Sequence, residues 1–97
     1  MTVDIGSRVG VLCNSTKDTA NIFGYGVRIE DGIPGKEVGG LGPMLHKAGL
    51  ACPVLLLDNG KKVYGCESYW GAEKNMQDYC STRTVVIVDI DEARKTQ

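Results

Sequence analysis

The segment 53–65 limits this chain more than any other. Val54-Leu55-Leu56-Leu57 leads into Asp58-Asn59-Gly60-Lys61 and then Lys62-Val63-Tyr64. Two apolar runs joined through Asn-Gly predict a β-hairpin, with Asn59 and Gly60 supplying the two positive φ angles of a type I′ turn. That register sets Asp58 opposite Lys61, Leu56 opposite Val63 and Leu55 opposite Tyr64, so both faces are mainly apolar. Such a ribbon cannot stand with one flank in water. Protein has to shelter both sides.

The rest of the chain supplies what could do so. Arg8 to Cys13 alternates Val9, Val11 and Cys13 on one face of a strand. The polar run 14–19 is a turn, and a second strand covers about 20–30 with Ile22, Phe23, Tyr25, Val27 and Ile29 as its bulk. Gly24 and Gly26 flank Tyr25 there, which predicts a bulge or sharp bend. Five glycines and Pro34 make 31–42 a long loop with the character of a hinge. Pro43 opens a short helix with Met44, Leu45 and Ala48 on its buried stripe; Gly49 ends it in the left-handed conformation. A second helix carries Ala72, Met76, Tyr79 and Cys80 on one stripe, with Glu73 in its first turn. The closing run Thr84–Ile90 is apolar enough for a central strand, while 1–6 and 91–97 read as frayed ends.

The expected architecture is therefore α+β within one domain, in the order β-β-α-β-β-α-β. Five short, glycine-punctuated, mostly antiparallel strands predict a strongly bent sheet or a partly open barrel with two short helices. An open sheet with both helices on one face is the alternative. The 97 residues suit one domain, and no run nears the roughly 18 apolar residues of a membrane span. Eleven basic against twelve acidic residues leave no electrostatic footprint for nucleic acid. The first residues lack a basic and apolar leader, which points to the cytoplasm.

The chemistry-bearing motifs are sparse. Cys13, Cys52, Cys66 and Cys80 lack the close pairing of a zinc site, so they read as reduced, buried thiols and no metal is expected. Gly24-Tyr25-Gly26 has Ile29 where a dinucleotide fingerprint needs its third glycine, and no cofactor is expected. His46, the single histidine, could join Cys66 and Glu67 only by coincidence, and no catalytic residue is assigned. What stands out is an aromatic corner. Tyr69 and Trp70 are adjacent, so in a strand they point to opposite sides, and Glu67 ends the preceding apolar run beside them. Glu67 either caps the indole or a backbone turn, or forms the polar centre of an aromatic pocket.

The run from Pro53 to Glu67, followed by Trp70-Gly71-Ala72-Glu73, resembles small uncharacterised bacterial proteins carried in mobile DNA, including integron gene cassettes. Phe23-Gly24-Tyr25-Gly26 and Val88-Asp89-Ile90-Asp91 extend the resemblance over most of the chain. It implies a cytoplasmic, horizontally mobile accessory protein and transfers no catalytic residue. Small domains bury only about 60–65% of the surface their unfolded chains expose, so 97 residues can hardly cover this much apolar strand surface alone. The sequence thus points to a non-enzymatic module that binds a protein partner or a second copy of itself, forming a homo-oligomer. The candidate binding residues are Tyr25, Glu67, Tyr69 and Trp70. The alternative is a small-molecule-binding protein or small enzyme with a pocket lined by those aromatics and Glu67.

Overall fold

A computed structural model describes residues 3–95 of the protein. Its elements are β1 (Arg8–Ser15), β2 (Thr19–Gly32), α1 (Gly42–Ala48), β3 (Cys52–Leu57), β4 (Lys62–Tyr64), a 3-10 turn (Gly65–Glu67), β5 (Tyr69–Ala72), α2 (Glu73–Cys80), β6 (Thr84–Ile87) and α3 (Ile90–Lys95). The fold is α+β, with a six-stranded open sheet in the order β4-β3-β2-β1-β5. These five pair antiparallel, and β6 runs parallel to β2 along its first half.

The chain geometry forces this sheet to curl. β4 and β5 lie at opposite ends of the strand order, yet only residues 65–68 connect them. From Tyr64 to Tyr69 is five steps, at most about 17 Å of extended chain. Four inter-strand gaps of a flat sheet measure about 19 Å, and three of the connecting residues are wound in a compact 3-10 turn. The sheet therefore rolls until its ends approach. At Gly65 an added Cβ would sit 2.8 Å from the Trp70 indole nitrogen and 3.4 Å from the Pro53 carbonyl oxygen.

Inside the roll, strands β1 to β4 supply Val9, Val11, Phe23, Leu55, Leu57 and Val63 to one cluster, which Ile90 of α3 closes. Trp70 of β5 packs against it. A bulge makes room for Phe23: Val11 pairs with Gly24 and Leu12 with Ile22, leaving Phe23 as the extra residue. On the outer face α2 lays Met76 and Cys80 over Leu12, Ala20 and Ile22. Close approach there depends on Gly10, where a Cβ would stand 2.3 Å from that of Met76.

Several expectations are corrected. The hairpin pairs Val54 with Tyr64, Leu55 with Val63 and Leu56 with Lys62, one residue away from the expected register. Gly60 donates to Leu57 O and Leu57 donates to Lys61 O, closing a three-residue loop in which only Gly60 has positive φ (88°). That is a type I turn with a left-handed third residue rather than type I′. A one-residue slip exchanges the faces. Leu55, Leu57 and Val63 turn into the core, Lys62 turns out, and Asp58 meets Arg8 instead of Lys61. On the other face Val54 is buried and Leu56 half-buried, so one flank is covered in part only.

Among the described residues there are six strands and three helices instead of five and two, because β5 and α3 were not expected. Residues 90–95 form α3 where a frayed tail was expected, capped by Asp89 accepting the Glu92 N–H at 3.2 Å. Residues 96–97 and 1–2 lie outside the described residues. At the other end residues 3–6 are fastened: Gly6 donates to Arg28 O at 2.7 Å and Val3 packs on the inner core. The last strand stops at Ile87 and lies at the sheet margin, exposed throughout, not centrally. The α1 stripe is also exposed: Met44 is 65% accessible, Leu45 half-buried and Ala48 open. Gly49 does end α1 in the left-handed region.

Candidate functional site

Two residues of the 3-10 turn and two of β5 build the corner. β5 pairs with β1 and leaves its other edge unpaired among the described residues. Pleating sends alternate side chains to opposite faces. Trp70, opposite Val11, turns to the inner core, and Tyr69, opposite Leu12, turns to the α2 side. Arg28 stands over the indole, its guanidinium 5.8 Å from the ring centroid. Tyr69 is 69% exposed.

Tyr69 forms a ridge between two recesses. One, of about 250 Å³, is an apolar groove between β5 and α2 lined by Leu12, Tyr69, Met76 and Tyr79. Tyr79, 39% exposed, is fixed there: its hydroxyl meets Ser15 Oγ at 2.5 Å, and Arg83 lies 4.0 Å from its ring centroid. The second recess, of about 420 Å³, is lined by Gly40, Cys66, Glu67, Ser68 and Tyr69. Tyr25 lines neither. It packs half-buried on the core beneath α2, and that burial pushes its hydroxyl pKa up.

The Glu67 side chain is fully buried and its acceptor sites are filled. Oε1 accepts from Gly39 N (3.2 Å) and Arg94 Nε (3.0 Å); Oε2 accepts from Tyr64 N (3.0 Å) and Arg94 Nη2 (2.6 Å). Four bonds match the four lone-pair positions of a carboxylate. Glu67 thus closes the 3-10 turn, anchors α3 and holds the glycine-rich loop. At Gly40, whose φ is +58°, a Cβ would stand 2.3 Å from Cys66 O, so glycine is required for that contact. Pro34 and Val38 are buried in the same loop. The expected hinge is a strapped segment.

The Cys66 pKa is pushed up to about 12, first by burial and then by the neighbouring Cys52 thiol. A thiol so protonated is a weak nucleophile at neutral pH. His46 Nδ1 is bonded to Pro34 O at 3.0 Å. Among the described residues no three His, Cys, Asp or Glu side chains gather as a metal site, and no helix is long and apolar enough to cross a membrane.

Sequence reasoning missed Arg94, Arg28 and Tyr79 as parts of this corner. Asp89 with Glu92 three residues on, and bases at 94 and 95, form a helix start and stop that could have revealed α3 and with it Arg94. No protein-family model matches the chain, and no curated protein or solved structure is significantly similar to it.

Proposed function

We propose that the chain is a non-enzymatic interaction module that receives a protein partner at the Tyr69 corner. The observation carrying this reading is a large aromatic side chain, 69% exposed on an unpaired strand edge, standing over an apolar groove walled by Tyr79 and Met76. Tyr and Trp are favoured anchors at interfaces because they combine rigid apolar area with a polar tip. A free edge adds backbone donors and acceptors for an extended segment, and the groove takes its apolar side chain. The reading extends to a cytoplasmic accessory protein of mobile DNA, as the resemblance of its hairpin and aromatic segment implies. A ligand pocket centred on Glu67 is less favoured, since all four acceptor positions of that carboxylate are used internally.

Affinity purification from the source cells tests the proposal, using the wild-type chain and a Tyr69→Lys variant as parallel baits. A stoichiometric partner retained by the wild type and lost with Tyr69→Lys supports it. Equal retention by both, with the variant folded by circular dichroism, contradicts it.

A further inference from the structure

Every residue of β6 is exposed, with Val85 at 45%, Val86 at 43% and Ile87 at 67%. Among the described residues β6 pairs only with β2, so it has a free edge carrying three consecutive β-branched apolar residues and no charge. Uncharged, apolar edges are templates for another strand. The hydrogen bonds fix which backbone groups are free. Thr84 N donates to Asp18 O and Val88 N to Ile22 O, both at 2.8 Å. Successive residues of a strand turn their N–H and C=O to opposite edges, so Val85 and Ile87 turn theirs outward.

We infer that β6 docks a second copy of this chain by antiparallel strand addition about a twofold axis at Val86. Across a twofold axis perpendicular to the sheet, a strand meets its own copy antiparallel. With the axis at Val86, Val85 of each copy faces Ile87 of the other, and the outward groups of both residues form four N–H···O=C bonds. An axis at Val85 would need Arg83, whose N–H is already bonded to Cys80 O at 3.0 Å. An axis at Ile87 would need Asp89, whose C=O already accepts from Ala93 N at 3.0 Å. The Val86 register alone uses only free groups.

Charge agrees with that register. Arg83 is held by the Thr16 and Tyr79 carbonyls, without a carboxylate partner among the described residues. It stands three residues before Val86, and Asp89, paired with Lys61, stands three after it, so the register brings each copy's Arg83 towards the other's Asp89. Opposite charges approach one another just beyond both ends of the paired strands, which favours a second copy over an unrelated strand. The apolar surface agrees too. Val85 adjoins Ala20 and Ile87 adjoins Ile22, both in the core beneath α2, so pairing carries that core across the axis. The β5 edge lies at the other side of the sheet and stays open, leaving the dimer with two Tyr69 corners. The inference does not depend on what those corners bind.

Sedimentation equilibrium over micromolar to millimolar concentrations tests it. The wild type is expected at twice the chain mass and Ile87→Lys at the chain mass. Where that variant fails to fold, cysteine placement carries the test. Val86 faces itself at a Cα separation of about 4.5 Å in a non-hydrogen-bonded pair, within reach of a disulfide. Under mild oxidation Val86→Cys should link two copies several-fold more than the wild type does, and Thr84→Cys should not. A wild type that stays at the chain mass throughout overturns the inference, as does equal linking by the two cysteine variants. Loss of the Tyr69 partner would leave these masses unchanged, so the two ideas fail separately.

Discussion

Glu67 and Arg94 join by two hydrogen bonds of 3.0 and 2.6 Å with the carboxylate wholly buried and the arginine side chain only 16% exposed. One pair thereby fastens the C-terminal helix to the turn that bridges the two ends of the rolled sheet. Removing one partner of a buried pair leaves the other charge without compensation, which costs about 3 kcal/mol or more. Glu67→Gln should therefore destabilise the chain by about 3 kcal/mol in urea unfolding, with α3 the first helix to lose hydrogen-exchange protection. A loss under about 1 kcal/mol would contradict the anchoring role.

The hairpin loop separates two turn types. In a type I turn with a left-handed third residue, only Gly60 needs positive φ, and its angle is 88°. Gly60→Ala should cost about 1–2 kcal/mol. Asn59→Ala should cost about 0.5–1 kcal/mol, the value of its 2.9 Å bond to Lys61 N. Equal, large losses at both positions in denaturant titrations would instead indicate type I′.

Acid sensitivity follows from two carboxylates, one exposed and one half-buried. The Arg8 guanidinium holds Asp58 below the usual carboxylate range, and the Lys61 ammonium does the same for Asp89. A folded pKa below the unfolded one means the folded state binds fewer protons. The stabilisation is present in full above the unfolded value, about pH 3.9, and disappears as pH falls through the lower folded values. Melting temperatures of the wild type should fall below about pH 4 more steeply than those of the Asp58→Asn, Asp89→Asn double variant. Added salt should narrow that difference. Parallel curves at low salt would show that neither pair matters.

Cys66 provides a chemical check on the packing of the 3-10 turn. Its thiol, pushed up to about 12 by burial and by Cys52, holds little thiolate at pH 8. Iodoacetamide should label it far more slowly in the folded chain than in urea. Labelling at equal rates in both would contradict the burial of that thiol beside Cys52.

Much of the frame is legible in the sequence because its signals are local. Alternation found β1 and β2, Asn59-Gly60 found the hairpin, and the Met76–Cys80 spacing found α2. The glycines beside Tyr25 announced the bulge at Phe23. What escaped depends on distant partners. β5 is four residues long and exists through its pairing with β1. β6 looks central because three β-branched residues stand together, yet no strand among the described residues pairs with its outer edge. The aromatic corner was legible in Tyr69 and Trp70 pointing apart, whereas Tyr25 belongs to the core beneath α2. Glu67 could not be assigned without Arg94, which lies 27 residues away on a helix hidden in a polar tail.

The central claim is that the Tyr69 corner is a docking surface, and in-cell photo-crosslinking reads it most directly. A photoreactive amino acid in place of Tyr69 should yield one discrete adduct with a second protein, while the same group in place of exposed Lys47 yields none. A chain without adduct from position 69, or with the same adducts from both positions, would contradict the account.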